Sequence, residues 1–129
     1  MSARFPCSCC GHLVFDEPPG SYAICGICFW EDDPIQLRWP DWTGGANGPS
    51  LIGAQQLYAE LGAMEPRFTR LVHEPTDDEP LDADWRVIDL TIDSFEPREV
   101  IERPWPRDRT TLYWWRPTFW RREPVDENS

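Results

Sequence analysis

Short apolar runs broken by turn residues mark the first part of the chain. Residues 12–15 and 21–24 are largely apolar, and they flank an Asp-Glu-Pro-Pro-Gly run at residues 16–20. Runs of this kind on either side of Pro and Gly are typical of two strands joined by a tight turn. The pattern therefore predicts a β-hairpin in which residues 12–15 pair with residues 21–24.

A helical pattern begins near the middle of the chain. Residues 43–49 are rich in Gly and contain Asn and Pro, so they predict a loop. Ser50 then stands where an N-cap is favoured, and Gly62 stands where a helix can end. Between them, apolar residues recur at helical spacing. These residues are Leu51, Ala54, Leu57, Tyr58 and Leu61.

Strand-like patterns and an acidic segment fill the second half of the chain. Residues 74–80 combine acidic residues with Pro and predict an exposed loop or linker. Residues 85–92 alternate enough to predict a strand, and residues 110–115 predict another. Residues 97–102 predict a short helix between the two strands.

The cysteines form two C-x2-C pairs, Cys7 with Cys10 and Cys25 with Cys28. A C-x2-C turn lets two thiolates face one point, and two such turns joined by a hairpin place four sulfurs at about 2.3 Å from one Zn²⁺. A closed site of four thiolates leaves no position for a reacting water, so it stabilises the fold and does not catalyse. The alternatives are reduced structural cysteines or a redox pair, but a redox C-x2-C motif usually opens a helix in a βαβ unit.

Two further residues near the first pair offer alternative ligands. Cys9 could exchange with Cys7 or Cys10, or it could be a free thiol. We favour a free thiol, because only Cys7 and Cys10 repeat the spacing of the second pair. His12 could substitute for a cysteine, although an ordinary strand position is the favoured interpretation.

The chain has 129 residues, which suffices for one ordinary domain. We divide it into a zinc-ribbon region at residues 1–68 and an acidic linker followed by an Arg- and Trp-rich β segment at residues 69–129. We expect the second region to pack on the first. The expected fold class is α+β, with a small N-terminal zinc ribbon, a following helix and a C-terminal β or irregular segment.

Acidic residues outnumber basic ones by 23 to 12, all 12 being arginine, and the net charge is −11. This excess disfavours non-specific binding to DNA or RNA, which relies on Lys and Arg, and it favours a basic partner. No apolar run approaches the ~20 residues of a membrane span, and the first residues lack the apolar core of a signal peptide. We therefore expect a cytoplasmic protein, in which cysteines stay reduced.

Two acidic runs are candidate contacts for a basic partner. The run Glu31, Asp32 and Asp33 could bind such a partner or a second metal ion, whereas a solvated acidic turn before Pro34 is the alternative. The second run contains the carboxylates of Asp77, Asp78 and Glu79.

Arginine and aromatic residues alternate near the C-terminus, where residues 103–122 contain six Arg and four Trp. This composition can bind nucleic acid by stacking and phosphate contact. It can equally form cation–π contacts and salt bridges with the acidic remainder of the chain, which is the interpretation that we favour. Trp and Arg are also typical of protein interfaces, so a partner surface is a third alternative.

Four motifs occur in a recognisable order: CSCCG at residues 7–11, DEPPGSY at 16–22, ICGICFWEDDP at 24–34 and GGANG at 44–48. Together they resemble the bacterial cysteine-rich CPCC family over roughly residues 6–68. The chain departs from the family pattern in both C-x2-C turns, where Ser8 and Gly26 stand in place of the usual proline. All four candidate ligands are retained.

The resemblance implies a small zinc-ribbon-type protein and no particular activity. Proteins that resemble this family occur as candidate immunity proteins beside bacterial toxin genes, which implies a toxin, for instance a nuclease, as the partner. The sequence contains no Ser-His-Asp grouping and no H-E-x-x-H motif, so we expect a non-enzymatic protein. The alternative function is a zinc-ribbon module that binds nucleic acid through the Arg- and Trp-rich tail.

Overall fold

The computed structural model describes residues 4–97 and 104–121. The described chain is a small α+β fold with two short strands, two α-helices and two 3-10 helices. In chain order these are β1 (Phe5–Pro6), β2 (Leu13–Phe15), α1 (Pro34–Arg38), α2 (Leu51–Leu61) and the 3-10 helices Pro66–Phe68 and Arg109–Leu112.

The two strands form one antiparallel sheet, in which Phe5 pairs with Phe15. The predicted strand at residues 12–15 is confirmed as β2, but the predicted partner at residues 21–24 is wrong. Ile24 instead forms an isolated bridge with Glu31. The reason is local, because each C-x2-C turn forms the tip of its own small hairpin. Residues 5–6 therefore pair with residues 13–15 across the first turn, and Ile24 pairs with Glu31 across the second.

The predicted helix is confirmed as α2. The Ser50 side chain accepts a hydrogen bond from the Gly53 N–H, which caps the N-terminus. Gly62 has a φ of 80° and ends the helix in the left-handed conformation. The buried face of α2 includes Leu51 and Ala54, which lie in the central core.

The predicted strands in the second half are wrong. Residues 85–92 contain turns and irregular backbone, and residues 109–112 form a 3-10 helix. Their aromatic side chains pack on one another instead of pairing in a sheet: Trp85 contacts Trp114 and Trp115 edge to face, with ring centroids 5.3 and 4.7 Å apart. The helix predicted for residues 97–102 lies, except for Pro97, outside the described residues.

One hydrophobic core contains both the cysteines and the C-terminal aromatic residues. Leu112, Tyr113 and Trp114 are at most 1 % exposed and pack in the same cluster as Cys7 and Cys28. The Tyr113 hydroxyl donates to the Pro6 carbonyl at 3.3 Å, next to the first cysteine. Across residues 4–97 and 104–121, no helix is long and apolar enough to cross a membrane.

Candidate metal centre

The two C-x2-C turns have the same backbone hydrogen-bonding pattern. In the first, the Cys7 N–H donates to the His12 carbonyl at 2.9 Å, and the Gly11 N–H donates back to the Cys7 carbonyl at 2.6 Å. In the second, the Cys25 N–H donates to the Trp30 carbonyl at 2.9 Å, and the Phe29 N–H donates to the Cys25 carbonyl at 2.8 Å. Each turn is therefore a closed knuckle that fixes its two sulfurs on one side.

A left-handed residue ends each knuckle. Gly11 has a φ of 83° in the first knuckle, and Phe29 has a φ of 73° at the equivalent place in the second. A non-glycine residue rarely adopts this conformation. Phe29 is held there by packing, because its ring stacks on Phe68 with centroids 4.2 Å apart. The left-handed conformation is thus stabilised by a long-range ring contact in the second knuckle, whereas in the first it requires only a glycine.

The knuckles bring the four predicted ligand sulfurs together. The Sγ atoms of Cys7 and Cys28 are 3.6 Å apart, those of Cys10 and Cys25 are 3.8 Å apart, and all four lie within 4.8 Å of one another. A tetrahedral site with metal–sulfur bonds of about 2.3 Å has sulfur–sulfur edges of about 3.8 Å. The donor set and its dimensions therefore fit one metal ion.

The four thiols shift one another's pKa values because they are buried and in contact. Burial raises the pKa of the Cys7 and Cys28 thiols well above the usual value. Hydrogen bonding with Cys25 raises the pKa of Cys10, whereas hydrogen bonding with Cys10 lowers the pKa of Cys25. A metal ion held by these four sulfurs would replace the thiol protons, so its binding would release protons and would weaken as the pH falls.

The two alternative ligands lie outside this set of sulfurs. Cys9 is only 1 % exposed and belongs to the hydrophobic core, but it is not among the four cysteines that converge. The His12 ring is engaged elsewhere, with its Nδ1 at 2.7 Å from the Glu79 carbonyl oxygen. Within the described ranges, no other group of three or more His, Cys, Asp or Glu residues is placed to hold a metal ion.

Residues 73–82, here called the covering segment, run across both knuckles. The His73 N–H donates to the Gly26 carbonyl at 3.0 Å in the second knuckle. The Asp82 N–H donates to the Gly11 carbonyl at 2.8 Å in the first. Residues 74–80, which were predicted to form an exposed loop or linker, are largely exposed. The segment that contains them is nevertheless hydrogen-bonded to the backbone of both knuckles.

The first acidic run has mainly structural contacts. Asp32 and Asp33 are 3 % and 2 % exposed. One Asp32 oxygen accepts from the Gly20 N–H and from both the N–H and hydroxyl of Ser21. Burial raises the pKa of Asp32, and these donors partly offset that effect. The sequence analysis expected both carboxylates on the surface, as partner contacts or as part of a solvated turn. Both are buried instead.

Asp33 connects α1 to the glycine-rich loop. One oxygen caps α1 by accepting from the Ile35 N–H at 2.8 Å, and the other accepts from the Ala46 N–H at 2.7 Å. Glu31 is half-buried, and its backbone exchanges two hydrogen bonds with the Asn47 side chain. These contacts explain why the EDD and GGANG motifs occur together.

The second acidic run lies on the covering segment. Asp77 and Asp78 are exposed, whereas Glu79 is half-buried. The Glu79 carboxylate accepts from the Thr76 N–H and lies 3.0 Å from the His73 ring. Burial would raise the pKa of Glu79, but these contacts bring it below the usual value. Of the six candidate contact residues, only Asp77 and Asp78 are exposed.

The tail residues mostly contact the remainder of the chain. The Trp115 indole N–H and the Arg116 guanidinium both donate to one Asp82 oxygen, at 2.8 Å and 3.1–3.2 Å. Trp114 and Trp115 are buried, so their rings are not available for stacking on bases. Trp105 is 38 % exposed, and its face is covered by Arg38 and Arg109.

Sequence reasoning missed two buried connections between the halves of the chain. Arg38 is paired with Glu96 at 2.8 Å, with side chains 1 % and 0 % exposed, and its guanidinium also lies over the rings of three tryptophans. Gln55 on α2 donates to the Ser8 carbonyl and accepts from the Ile88 N–H. The tryptophans lie in both halves of the chain: Trp39, Trp105 and Trp120. An arginine at the end of a short apolar helix was the only local signal.

The fold and the four-sulfur cluster together define a small cysteine-rich protein with a site positioned to bind a metal ion. The family described as Cysteine-rich CPCC matches residues 5–79, which is more than half of the chain, and the chain belongs to this family. The resemblance noted for residues 6–68 is thereby confirmed, and it extends through most of the covering segment. A comparison with curated proteins finds no significant match.

Proposed function

We propose that the protein is a non-enzymatic, zinc-stabilised binding protein of the cytoplasm that acts as an immunity protein against a basic toxin. The observation that carries the non-enzymatic, metal-stabilised part of this proposal is the closed geometry of the metal centre. All four sulfurs are buried, with their residues at most 3 % exposed. A metal ion with four thiolate ligands has no open position for a substrate, so it supports a structural role.

Zinc is the metal that this donor set favours. Four thiolates at tetrahedral spacing suit Zn²⁺, which has no geometric demand of its own and no redox chemistry. Cys7, Cys10, Cys25 and Cys28 would hold the ion. When bound, zinc supplies four bonds that connect the two knuckles, and it converts binding energy into folding energy.

A basic protein is the partner that the charge distribution favours. The net charge of −11 raises the rate of encounter with a cationic protein and would suit a toxin whose own site binds phosphates. Asp77 and Asp78 are the best-placed contacts, because both are exposed. Glu31 and Glu79 can contribute from half-buried positions. The resemblance to candidate immunity proteins adds support to this choice of partner.

The test is co-expression with the product of the neighbouring gene in a bacterial host. We expect that product to arrest growth alone and the present chain to restore it. Purified proteins should form a complex whose association rate falls as salt rises. A neighbouring product that is harmless, or that the chain neither binds nor neutralises, would overturn the proposal.

Two charge-matched variants locate the contact. Asp77→Asn with Asp78→Asn should slow association several-fold at low salt, because exposed rim charges act mainly on the association rate. Asp16→Asn with Glu17→Gln removes the same charge from another exposed acidic pair and should have a smaller effect. Equal effects of the two variants would mean that the contact is not on the covering segment.

The nucleic-acid alternative has its own test. A fluorescence titration with DNA and RNA at ~50 mM salt, where electrostatic contacts are strong, should show no binding. This expectation follows from the internal contacts of the Arg- and Trp-rich tail, since Arg116 is paired with Asp82 and Trp114 is buried. Tight, salt-sensitive binding would favour the nucleic-acid module instead.

A further inference from the structure

Three aliphatic side chains project into solvent from one closed loop at residues 86–93, here called the 86–93 loop. Val87, Leu90 and Ile92 are 53 %, 63 % and 69 % exposed. Single exposed aliphatic residues are normal on a protein surface, whereas a contiguous apolar patch marks an interaction site. Three strongly exposed aliphatic residues within six positions are the material for such a patch.

The loop is fixed by its own hydrogen bonds. The two terminal nitrogens of Arg86 donate to the two oxygens of Asp93 at 2.8 and 2.7 Å, and this bidentate pair closes the ends of the loop. The Asp89 N–H donates to Asp93, and the Asp89 carboxylate accepts from both the N–H and the hydroxyl of Thr91. The exposed side chains are therefore presented on an ordered backbone, which reduces the entropy lost on binding.

The loop is also anchored to the metal-bearing half of the protein. The Ile88 side chain packs against the hydrophobic core, and its N–H donates to Gln55 at 3.1 Å. Gln55 in turn donates to the Ser8 carbonyl in the first knuckle at 3.0 Å. Ile88 is the residue of the loop that packs on the core. The exposed side chains of Val87, Leu90 and Ile92 therefore do not contribute to this packing.

A cleft lies beside the exposed residues. It has a volume of about 190 Å³, and Ile92 forms part of its wall together with the aromatic residues Trp114 and Phe119. Asp93 and Arg121 supply charged groups at the same cleft. The surface thus offers both projecting aliphatic side chains and a recess for a side chain of the partner.

The charges of the loop indicate the chemistry of the partner. Arg86 and Asp93 are paired, and the remaining charged residues of the stretch 84–93 are the exposed acids Asp84 and Asp89. The free charges of the loop itself are therefore acidic, while Arg121 lines the cleft beside it. An apolar loop with exposed acids fits an apolar cleft on the partner that is bordered by basic residues. The overall charge of −11 disfavours both a second copy of this chain and an anionic membrane surface.

We infer that the 86–93 loop is the apolar anchor by which this protein docks into an apolar cleft, bordered by Arg or Lys, on a cationic partner protein. The inference rests on the proposed function, because the partner is the toxin proposed above. The exposed acids steer the approach, and Leu90 and Ile92 provide the contact that slows dissociation.

The experiment measures binding of the zinc-loaded full-length chain to the product of the neighbouring gene by isothermal titration calorimetry. Leu90→Ser with Ile92→Ser should raise Kd by roughly tenfold or more, as loss of a central apolar contact does. The matched control, Leu61→Ser with Leu71→Ser, removes two other exposed leucines, 43 % and 61 % exposed, and should leave Kd within about twofold. Unchanged melting temperature and zinc content in both variants would show that the fold is intact.

The outcomes separate this inference from the proposed function. If the Leu90 and Ile92 variant binds as tightly as the unaltered chain, the docking role is overturned and the proposed function stands. If the unaltered chain binds no neighbouring gene product, both are overturned. Two further results would also overturn the docking role: a dimer in sedimentation velocity that the variant abolishes, or phosphatidylcholine vesicle binding that depends on these two residues.

Discussion

At the scale of single residues, glycine and phenylalanine solve the same conformational problem in the two knuckles. Gly11 adopts a left-handed backbone without strain, and the Trp85 ring lies directly against it. Phe29 adopts the same conformation at a cost that its stacking on Phe68 offsets. The first knuckle therefore has no space for a side chain at position 11. In the second knuckle, the side chain of Phe29 contacts Phe68 in the 3-10 helix that follows α2.

Gly11→Ala should lower the free energy of unfolding by about 3 kcal/mol, combining left-handed strain with overpacking. A Cβ at this position would lie 2.4 Å from the Trp85 ring. Gly62→Ala is the matched control, because Gly62 has a similar φ of 80° and no atom within 4 Å of the added Cβ. It should cost only about 1 kcal/mol. Equal costs in urea denaturation would contradict the role of the Trp85 contact.

The carboxyl of Asp93 should titrate below the ordinary value of 3.8. Burial raises its pKa, but hydrogen bonds from Arg86 and from the Asp89 backbone more than offset that effect. The pair therefore contributes stability above the ordinary carboxyl pKa, and this contribution is lost as the pH falls through the lowered value. Carboxyl NMR titration should show the low midpoint, and Arg86→Gln should raise it; an unchanged midpoint would rule out the pairing.

At the scale of secondary-structure elements, α1 and the glycine-rich loop are joined through one carboxylate. Asp33 caps α1 and binds the loop, so a five-residue helix that could not persist alone is held in place. The loop approaches closely: a Cβ on Gly45 would lie 2.4 Å from an Asp33 oxygen. The acidic motif is thus a structural joint between two segments.

Asp33→Ala should destabilise the protein by about 2 kcal/mol, since it removes a helix cap and breaks the part-buried hydrogen bond from the Ala46 N–H. Asp41→Ala removes the same charge from an exposed position nearby and should change stability by about 0.5 kcal/mol or less. Thermal unfolding of the two variants provides the comparison. If both variants had the same melting temperature as the unaltered chain, Asp33 would have no structural role beyond that of a surface charge.

Elements with local signals could be predicted from the sequence, and elements defined by distant contacts could not. The helix α2 has its own caps at Ser50 and Gly62, so its bounds were correct. Residues 85–92 have strand-like composition, but strand propensity chiefly reflects packing against a neighbouring strand, and here the neighbours are aromatic rings. The four converging cysteines followed from their spacing, whereas the burial of Asp32 and Asp33 depends on residues 20–21 and 46.

At the scale of the whole molecule, the metal centre and the C-terminal aromatic residues share one core. Loss of the metal should therefore affect both halves of the chain. Cys25→Ser should abolish zinc binding and unfold at least the N-terminal half, because a structural zinc site supplies on the order of 10 kcal/mol of folding energy. Metal analysis and circular dichroism measure the two effects.

Cys9→Ser is the matched control for the metal site. Cys9 is as buried as Cys25, and both are 1 % exposed, but its sulfur lies outside the converging group. One zinc per chain should remain bound in this variant, although the polar hydroxyl will lower stability. Loss of zinc from Cys9→Ser, or protein that contains no zinc when purified without chelators, would refute the assigned ligand set.

Arg38 and Glu96 form a buried ion pair that connects the two halves of the chain. Glu96→Gln should destabilise the protein by about 3–5 kcal/mol, because the guanidinium would remain buried without its carboxylate. Glu65→Gln removes one partner of the exposed pair with Arg67, whose side chain is 71 % exposed, and should cost less than about 1 kcal/mol. Similar melting temperatures for the two variants would contradict a joining role for Arg38.

The position of the sulfurs along the chain sets an order for biosynthesis. The outermost ligands, Cys7 and Cys28, are separated by only 21 positions, whereas the rings that complete the core around them come from residues 85 and 114–115. At a translation rate of about 5–20 residues per second, the ribosome takes roughly 3–17 s to synthesise the intervening chain. During that interval the four ligand cysteines exist without the rings that later bury them, so a metal ion could reach their thiolates from solvent. With zinc as the proposed ion, we expect its supply during translation to govern the yield of folded protein.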